Sequence, residues 1–334
     1  MQDTDEKFII VTGGAGYIGS HVCKGLALAG YTPVSYDNLE HGHAWAVQWG
    51  PLETGNILDA AALDQLFHKY RPRAVMHFAA YAYVGESVNN PGKYYRNNVV
   101  GTHTLLERML HHGIADFIFS SSCAVYGIPD QIPIPEGHTR NPINPYGRTK
   151  YIVELMLDDY FRTNDLRYVS LRYFNAAGAD PDSEIGETHE PETHLIPLVL
   201  RNAAGLSPHI EIYGEDYETP DGTCIRDYIH VTDLADAHIR ALEYLLQGGK
   251  SRSFNLGTET GFSVREIVDH SAKVTGKKIS VKTGVRRPGD PPCLVADASS
   301  IRSELGWTAR YSRIEDILTT AWEWQVKAVN RRLP

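Results

Sequence analysis

Apolar and polar positions alternate between two textures along the first half of the chain. Short apolar runs read as strands buried on both faces, and each is followed by apolar residues three or four apart, the period of a helix. Phe8-Ile9-Ile10-Val11 is the first run, and Ile18, Val22, Leu26 and Ala29 mark the helix after it. A second run lies at 32–36, a short weak strand at 51–54, and a helix over 59–68 with Ala62, Leu63, Leu66 and Phe67 on its apolar side. Residues 74–79 read as a buried strand, 97–112 as a helix and 117–120 as a strand. Pro133, Pro135, Pro142 and Pro145 mark a loop that ends where a long helix starts at Tyr146, and 166–173 closes the series. This alternation predicts an α/β fold of the Rossmann type, a doubly wound parallel sheet.

Beyond Asn175 the texture changes. Glycines, prolines and acids over 178–192 read as loop, and helix, strand and turn pieces then mix. A further strand–helix–strand return spans 227–246 and 254–256. The predicted organisation is a dinucleotide-binding domain of 1–177 plus 224–257, and a smaller mixed α/β substrate-binding cap of 178–223 plus 258–334. The last predicted helix, 314–326, places Ile314, Ile317, Leu318, Ala321 and Trp324 on one face, which reads as core.

Composition narrows the class without naming it. With 334 residues, 42% apolar and 22% charged, the chain can bury a sizeable core. A net charge of −9 argues against a general polyanion binder, so an anionic substrate needs local basic residues. Cys23, Cys123, Cys224 and Cys293 are scattered with no C-x-x-C, which disfavours a disulfide framework or a zinc ribbon. The acidic start of the chain does not read as a signal peptide, and no apolar run reaches membrane-spanning length, so the expected location is cytoplasmic.

Two stretches carry chemistry. After the first strand the glycines fall at Gly13, Gly16 and Gly19, just where the helical pattern begins. Strand, tight turn and helix N-terminus make an anion site in which amide N–H groups and the helix dipole face a phosphate. Asp37 ends the second strand, 18 residues beyond Gly19, where a carboxylate can bond the ribose diol of a dinucleotide. It would repel a 2′-phosphate, and Asn38-Leu39-Glu40 offers no arginine to hold one, so the cofactor reads as NAD rather than NADP.

The second stretch is Tyr146-Gly147-Arg148-Thr149-Lys150, with Tyr146 and Lys150 on one helical face. A tyrosine with its ordinary pKa near 10 is too weak a base at neutral pH. An ammonium and a nicotinamide cation nearby favour the phenolate, and lowering the pKa by about three asks for roughly 4 kcal/mol. Ser120-Ser121-Ser122 ends a strand at the carboxyl edge of the sheet, where ligands bind. Tyr146 reads as base, Lys150 as its electrostatic partner and Ser122 as a hydroxyl hydrogen-bond donor.

With these motifs in order the chain resembles the extended short-chain dehydrogenase/reductase family, and within it the NAD-dependent UDP-sugar 4-epimerases. The resemblance runs through TGGAGYIGSH at 12–21, YDNL at 36–39, HFAAYAYVGES at 77–87 and YYRNNVVGT at 94–102. It continues through SSSCAVYG at 120–127, NPYGRTK at 144–150, LRYFNAAGA at 171–179, RDYIHVTDLADAH at 226–238, RRPGDPPCLVADAS at 286–299 and ELGW at 304–307. It implies the catalytic set Ser122, Tyr146 and Lys150. Cofactor contacts are implied from Gly13, Gly16, Tyr17, Ile18, Asp37, Asn38, Asn56, Ile57, Phe78, Ala79, Ala80, Asn97, Ser120 and Tyr173, besides Tyr146 and Lys150. It also implies that Asn175, His194, Leu195, Arg226, Tyr228, Arg287 and Asp290 hold the UDP moiety of a UDP-sugar, and that Leu294 lines the sugar pocket. Arg226 and Arg287 are in addition isolated cations in an acidic chain, suited to forked contacts with a diphosphate. A homodimer is implied by resemblance alone.

The implied chemistry is removal and return of hydride at C4 through a 4-keto sugar that turns about its phosphate link. Three positions depart from common family residues: Asn56 for an adenine-facing acid, Ala82 for a lysine and His194 for an asparagine. Sister dehydratases and decarboxylases carry an acid just before V-Y-G, whereas Cys123-Ala124 stand there in this chain. The retained Tyr146, Lys150 and Ser122 argue against a non-catalytic dinucleotide sensor. His189-Glu190-Pro191-Glu192-Thr193-His194 resembles a metal-binding helix only superficially, because its histidines are five apart and a proline interrupts them, so no metal is expected. UDP-glucose/UDP-galactose ranks first as the substrate pair, UDP-pentoses second and N-acetylhexosamines third.

Overall fold

The computed structural model describes residues 7–286 and 290–331. It divides into two compact units: 1–127, 140–172 and 235–254 form the first, and 128–139, 173–234 and 255–334 the second. Relative to the domains expected from sequence, 128–139, 173–177, 224–234 and 255–257 group with the second unit.

The first unit is built on a seven-stranded sheet. Its strands are β1 (Phe8–Thr12), β2 (Thr32–Asp37), β3 (Leu52–Thr54), β4 (Ala74–His77), β5 (Asp116–Ser122), β6 (Arg167–Tyr173) and β10 (Arg252–Leu256). Their order is β10-β6-β5-β4-β1-β2-β3. β1 pairs in parallel with both β2 and β4, so the strand order reverses at β1, and the loops after β1 and β4 leave the same edge side by side. The connecting helices are α1 (Tyr17–Leu28), α2 (Ala60–Tyr70), α3 (Val84–Asn89), α4 (Pro91–Tyr94), α5 (Thr102–His111) and α6 (Pro145–Thr163). Ile10, Val34, Val75 and Phe117 from the strands pack with Leu63, Phe67, Leu105 and Leu157 from the helices in one buried cluster.

Local chemistry sets where these elements start. Asp59 caps α2 by accepting from the Ala62 amide, and Asn144 caps α6 by accepting from the Gly147 amide, with Pro145 just inside the helix. The helix expected over 97–112 begins earlier and is interrupted. Between α4 and α5 the backbone makes a π-helical stretch, Tyr95–Gly101, whose wider turns a 3.6-residue period does not reveal.

The second unit is mixed α/β. β7 (Asn175–Ala177), β9 (Ile225–His230), β11 (Gly261–Ser263) and β13 (Cys293–Leu294) form one small sheet, and β8 (Ile210–Tyr213) pairs in parallel with β12 (Val281–Gly284). Its helices are α7 (Leu195–Ala203), α9 (Val264–Thr275), α10 (Ser299–Leu305) and α11 (Ile314–Arg331), while α8 (Val231–Leu246) starts in this unit and continues into the first. A capping box of Ser263 and Glu266 opens α9. As expected, Ile314, Ile317, Leu318 and Trp324 of α11 are buried, with Ala321 packed against the same cluster.

Gly13 and Gly19 show why the first loop needs glycine. Gly13 has φ +75°, and a Cβ there would lie 2.7 Å from the Ala79 amide nitrogen. A Cβ on Gly19 would lie 2.2 Å from the Gly13 carbonyl oxygen, so the first turn of α1 rests directly on the loop. Gly19→Ala is therefore expected to cost about 1–3 kcal/mol in urea unfolding. Gly85→Ala, whose added Cβ meets nothing within 4 Å, is the control. Equal midpoints for the two variants would show that this close approach carries no stability.

Candidate active site

The residues expected to hold the cofactor cluster at the carboxyl ends of successive strands in the first unit. Gly13 and Gly16 lie in the loop after β1, and Tyr17 and Ile18 open α1. α1 starts with no side-chain cap and no acidic residue in its first turn, so the positive end of its dipole faces an anion without a competing carboxylate. Asp37 ends β2 and is 7% exposed. Its two oxygens accept from the amides of Ala15 at 3.0 Å and Leu39 at 2.8 Å, using two of about four acceptor sites. Burial raises its pKa, and these two amides oppose the rise.

Asn38 is exposed, its side chain accepting from the Glu40 amide. Asn56 and Ile57 follow β3; the Asn56 carboxamide oxygen accepts from the Leu58 amide at 2.9 Å, a turn contact that uses one of its two lone pairs. Phe78, Ala79 and Ala80 follow β4 and are half-buried, and Ala82 is exposed. Asn97 sits on the π-helical stretch and donates to the side chain of Asn98 at 3.1 Å. Tyr173 ends β6, 8% exposed, and belongs to the second unit.

β5 and the first two turns of α6 carry the catalytic candidates. The Ser122 hydroxyl is near enough to the phenol of Tyr146 to lower its pKa, and the Ser122 oxygen accepts from the Ala124 amide at 3.2 Å. Lys150 is 3% exposed and donates from Nζ to the Ser120 carbonyl at 2.7 Å. That nitrogen lies 5.9 Å from the centroid of the Tyr146 ring and 4.9 Å from that of Phe119. Sequence reasoning expected a lowered tyrosine pKa, and the chain by itself does the opposite. Burial pushes the Tyr146 phenol up to about 12, against the nearby Ser122 hydroxyl, which lowers it. Burial also pulls Lys150 down to about 7, opposed by Glu154, so the amine does not present a full charge to its neighbour at neutral pH.

A network that sequence reasoning missed holds this cluster. Glu154 is 2% exposed and accepts from Arg172 Nε at 2.8 Å and Nη2 at 2.7 Å, from Ser121 at 2.7 Å and from Arg140 at 3.0 Å. Arg172 also donates to the Tyr126 hydroxyl at 2.9 Å. Two signals were available: Glu154 continues the four-residue spacing of Tyr146 and Lys150, and Arg172 is a charge inside an apolar run. His77 is a second miss. Burial, then the charge of Lys150, lowers its pKa to about 3, so the imidazole is neutral. Thr102 spends its proton on the Asn98 carbonyl, so His77 Nε2 donates to Thr102 at 2.8 Å and Nδ1 accepts from Thr12 at 2.6 Å. Asn98 in turn donates to the Tyr81 carbonyl and to Thr149, which bonds the Tyr146 carbonyl, joining the loop after β4 to the start of α6.

In the second unit the small sheet carries three of the residues expected to hold UDP, Asn175, Arg226 and Tyr228, with Leu294, expected at the sugar, on the neighbouring strand. Asn175 on β7 stands opposite Tyr228 on β9, and Arg226 on β9 opposite Leu294 on β13. Arg226 is not an isolated cation: its guanidinium forms an ion pair with Asp290 and also donates to the Ile225 carbonyl at 2.8 Å. Leu195 opens α7 and packs against the cluster that contains Tyr228, while His194 precedes it as N-cap. Arg287 lies outside the described residues. The 187–194 segment is a loop, so the helical argument against two histidines meeting does not apply. Glu187, His189, Glu192 and His194 present ligand-type atoms within 4.8 Å of one another.

Over residues 9–257 the chain matches the model of the NAD dependent epimerase/dehydratase family. It belongs to that family. It is 52% identical over 320 residues to a UDP-glucose 4-epimerase of Rhizobium leguminosarum bv. trifolii, covering 96% of this chain and 98% of the relative. A UDP-glucose 4-epimerase of Rhizobium meliloti (strain 1021) is 53% identical over 316 residues, covering 95% and 96%. The crystal structure of UDP-glucose 4-epimerase from Brucella ovis in complex with NAD superposes with a TM-score of 0.93 at 55% identity, covering 96% of this chain and 98% of that one.

The cofactor of this epimerase/dehydratase is NAD, and the first unit fits it. An uncapped helix start suits a pyrophosphate, and the Asp37 carboxylate suits a ribose diol and repels a 2′-phosphate. No helix among the described residues is long and apolar enough to cross a membrane.

Two predictions follow from the buried charges. Glu154→Gln leaves the buried Arg172 guanidinium without its counter-charge and is expected to cost about 3–5 kcal/mol in denaturant unfolding; a cost below about 1 kcal/mol would show that the pair is not structural. Lys150 is held near 7 in the fold but near its ordinary value when unfolded, so its contribution to stability rises as pH climbs from about 7 towards 10.5. At pH 7 the buried amine costs on the order of 4 kcal/mol, partly offset by its bond to Ser120. Lys150→Met should therefore raise the melting temperature of the cofactor-free protein at pH 7, by less at pH 10. A lowered melting temperature at both values would contradict this.

Proposed function

We propose that this protein is an NAD-dependent UDP-glucose 4-epimerase that interconverts UDP-glucose and UDP-galactose, with Tyr146 as the proton-transfer group. The observation that carries the assignment is the buried Lys150 amine bonded to the Ser120 carbonyl at the end of β5, 5.9 Å from the centroid of the Tyr146 ring, with Ser122 ending the same strand. NAD, held by the glycine loop and Asp37 of the first unit, would supply a reversible hydride acceptor for the sugar C4 and a cationic ring that favours ionised tyrosine.

The chain's own residues do the rest. Tyr146 takes the proton of the C4 hydroxyl and later gives it back, while Ser122 orients that oxygen by a hydrogen bond. Bringing Tyr146 from about 12 to near neutrality requires roughly 7 kcal/mol of charge stabilisation. A half-charged Lys150 cannot supply that alone, so proton transfer is reserved for the cofactor-loaded protein. No acid stands at Cys123 or Ala124 to drive an elimination, which favours epimerisation over dehydration.

Asn175, Tyr228, the Arg226–Asp290 pair and the segment at His194–Leu195 are assigned to the nucleotide half of the substrate, and Leu294 to the sugar. Binding through the nucleotide leaves the sugar free to turn between hydride removal and return. In the same reading the first unit is the NAD-binding domain and the second the UDP-sugar domain. The protein is taken as a cytoplasmic homodimer; the free thiols of Cys23, Cys123, Cys224 and Cys293 accord with a reducing compartment, and the dimer rests on family resemblance.

Purified protein given UDP-galactose and no added NAD is expected to form UDP-glucose, read by a coupled assay. Tyr146→Phe should fold, keep NAD and lose turnover by about 10²–10⁴-fold. An unchanged rate would remove Tyr146 from its role. Activity on a UDP-pentose pair with none on the hexose pair would move the substrate.

A further inference from the structure

The geometry points to a zinc-class divalent cation site at Glu187, His189, Glu192 and His194, in the loop that leads into α7. The four side chains come from eight consecutive residues, and their ligand-type atoms all lie within 4.8 Å of one another. His194 Nδ1 lies 2.9 Å from a Glu187 oxygen and 2.8 Å from a Glu192 oxygen. His189 Nδ1 lies 3.1 Å from the same Glu187 oxygen and 3.7 Å from the second Glu192 oxygen. The carboxylates are nearly buried, at 7% and 3% side-chain exposure.

Counting protons separates a cation site from a hydrogen-bonded cluster. Each Nδ1 carries at most one proton, so two imidazoles supply two good hydrogen bonds here, yet four nitrogen–oxygen approaches are present. One central cation uses all four groups at once. Tetrahedral bonds of about 2.0–2.2 Å place ligand atoms roughly 3.3–3.6 Å apart, within the 2.8–3.7 Å span of these approaches. Two carboxylates and two neutral imidazoles also balance a 2+ charge, with the carboxylates on the buried side and the His194 side chain, 42% exposed, on the solvent side. Imidazole nitrogens favour zinc and its neighbours over magnesium or calcium.

The supports are those of a built site. The amides of Thr193 and His194 both donate to Glu192 Oε1 at 2.7 Å and fix that carboxylate, leaving Oε2 turned towards His189. Trp324 of α11 donates to the Glu187 carbonyl at 3.0 Å, pinning the other end of the loop. Four protein ligands leave no open position, so the cation is structural: it closes the loop and sets the start of α7. Because Nδ1 is the His194 ligand atom, any nucleotide contact from that residue must come from Nε2.

The test uses the full chain purified without metal-affinity steps and stripped with chelator. Zn²⁺ titration against a chromophoric chelator is expected to show one tight equivalent per chain, and crystals grown with Zn²⁺ an anomalous peak among the four side chains. His189→Ala, outside the proposed catalytic and nucleotide-binding residues, should weaken that equivalent by at least about tenfold, while His68→Ala leaves it unchanged. Glu187→Gln should weaken it similarly, so one misfolded variant does not decide the matter. Absence of a stoichiometric equivalent in the unmutated protein, an anomalous peak elsewhere, or affinity in both ligand variants undiminished from that of the unmutated protein would overturn the site. None of these outcomes depends on epimerase activity.

Discussion

One carboxylate sets the register of the candidate catalytic face. Glu154, almost without solvent, is gripped by both arms of Arg172 from β6, by Ser121 from β5 and by Arg140 from the loop before α6. A helix clamped at one point to two neighbouring strands cannot slide or rotate. Lys150 and Tyr146 stand one and two turns earlier on the same face, so their placement against Ser120 and Ser122 follows from that clamp. Replacing the pair by apolar residues of similar volume need not cost stability. What the pair supplies is position, which an apolar contact specifies less sharply.

The same burial that fixes these groups works against their charges. Desolvation raises the Tyr146 phenol and lowers Lys150, so the cofactor-free site is arranged to be electrically quiet, with a neutral phenol and an amine near half charge. Neutral His77 beneath them belongs to the same design: a second cation there would depress Lys150 further. A dry pocket strengthens whatever charge enters it, because the interaction energy scales inversely with the effective dielectric. A phenol kept neutral in the cofactor-free chain and a strong response to any charge that enters are two consequences of one low-dielectric environment.

Much of this was legible in the chain, for reasons that differ by residue. The Gly13–Gly19 turn, Asp37 and the Tyr146/Lys150 face are short-range patterns whose meaning depends on a strand and a helix meeting, and periodicity locates both. Glu154 and Arg172 were not legible as partners, since they are 18 residues apart and meet only when β6 pairs beside β5. The His77–Thr102–Asn98–Thr149 chain was hidden similarly, and the π-helical stretch that presents Asn97 and Asn98 has no signature at the 3.6-residue period. The Glu187–His194 cluster was misjudged by asking what a helix could do with residues that fold as a loop. Arg226 looked isolated because Asp290 lies 64 positions away along the chain.

That last pairing bears on how an acidic protein can hold a dianionic nucleotide. With a net charge of −9, the long-range field opposes UDP, and local cations must reverse it. Arg226, proposed above to hold the diphosphate, is engaged with Asp290, so in that role it would offer a guanidinium already oriented but partly neutralised. An oriented fork loses less side-chain entropy on binding, and a partly compensated charge binds less tightly than a bare one. For an enzyme whose substrate must loosen its sugar in mid-reaction and whose product differs at a single carbon, moderate nucleotide affinity is the useful regime. Tighter uniform binding would hold product as firmly as substrate and add nothing at the transition state.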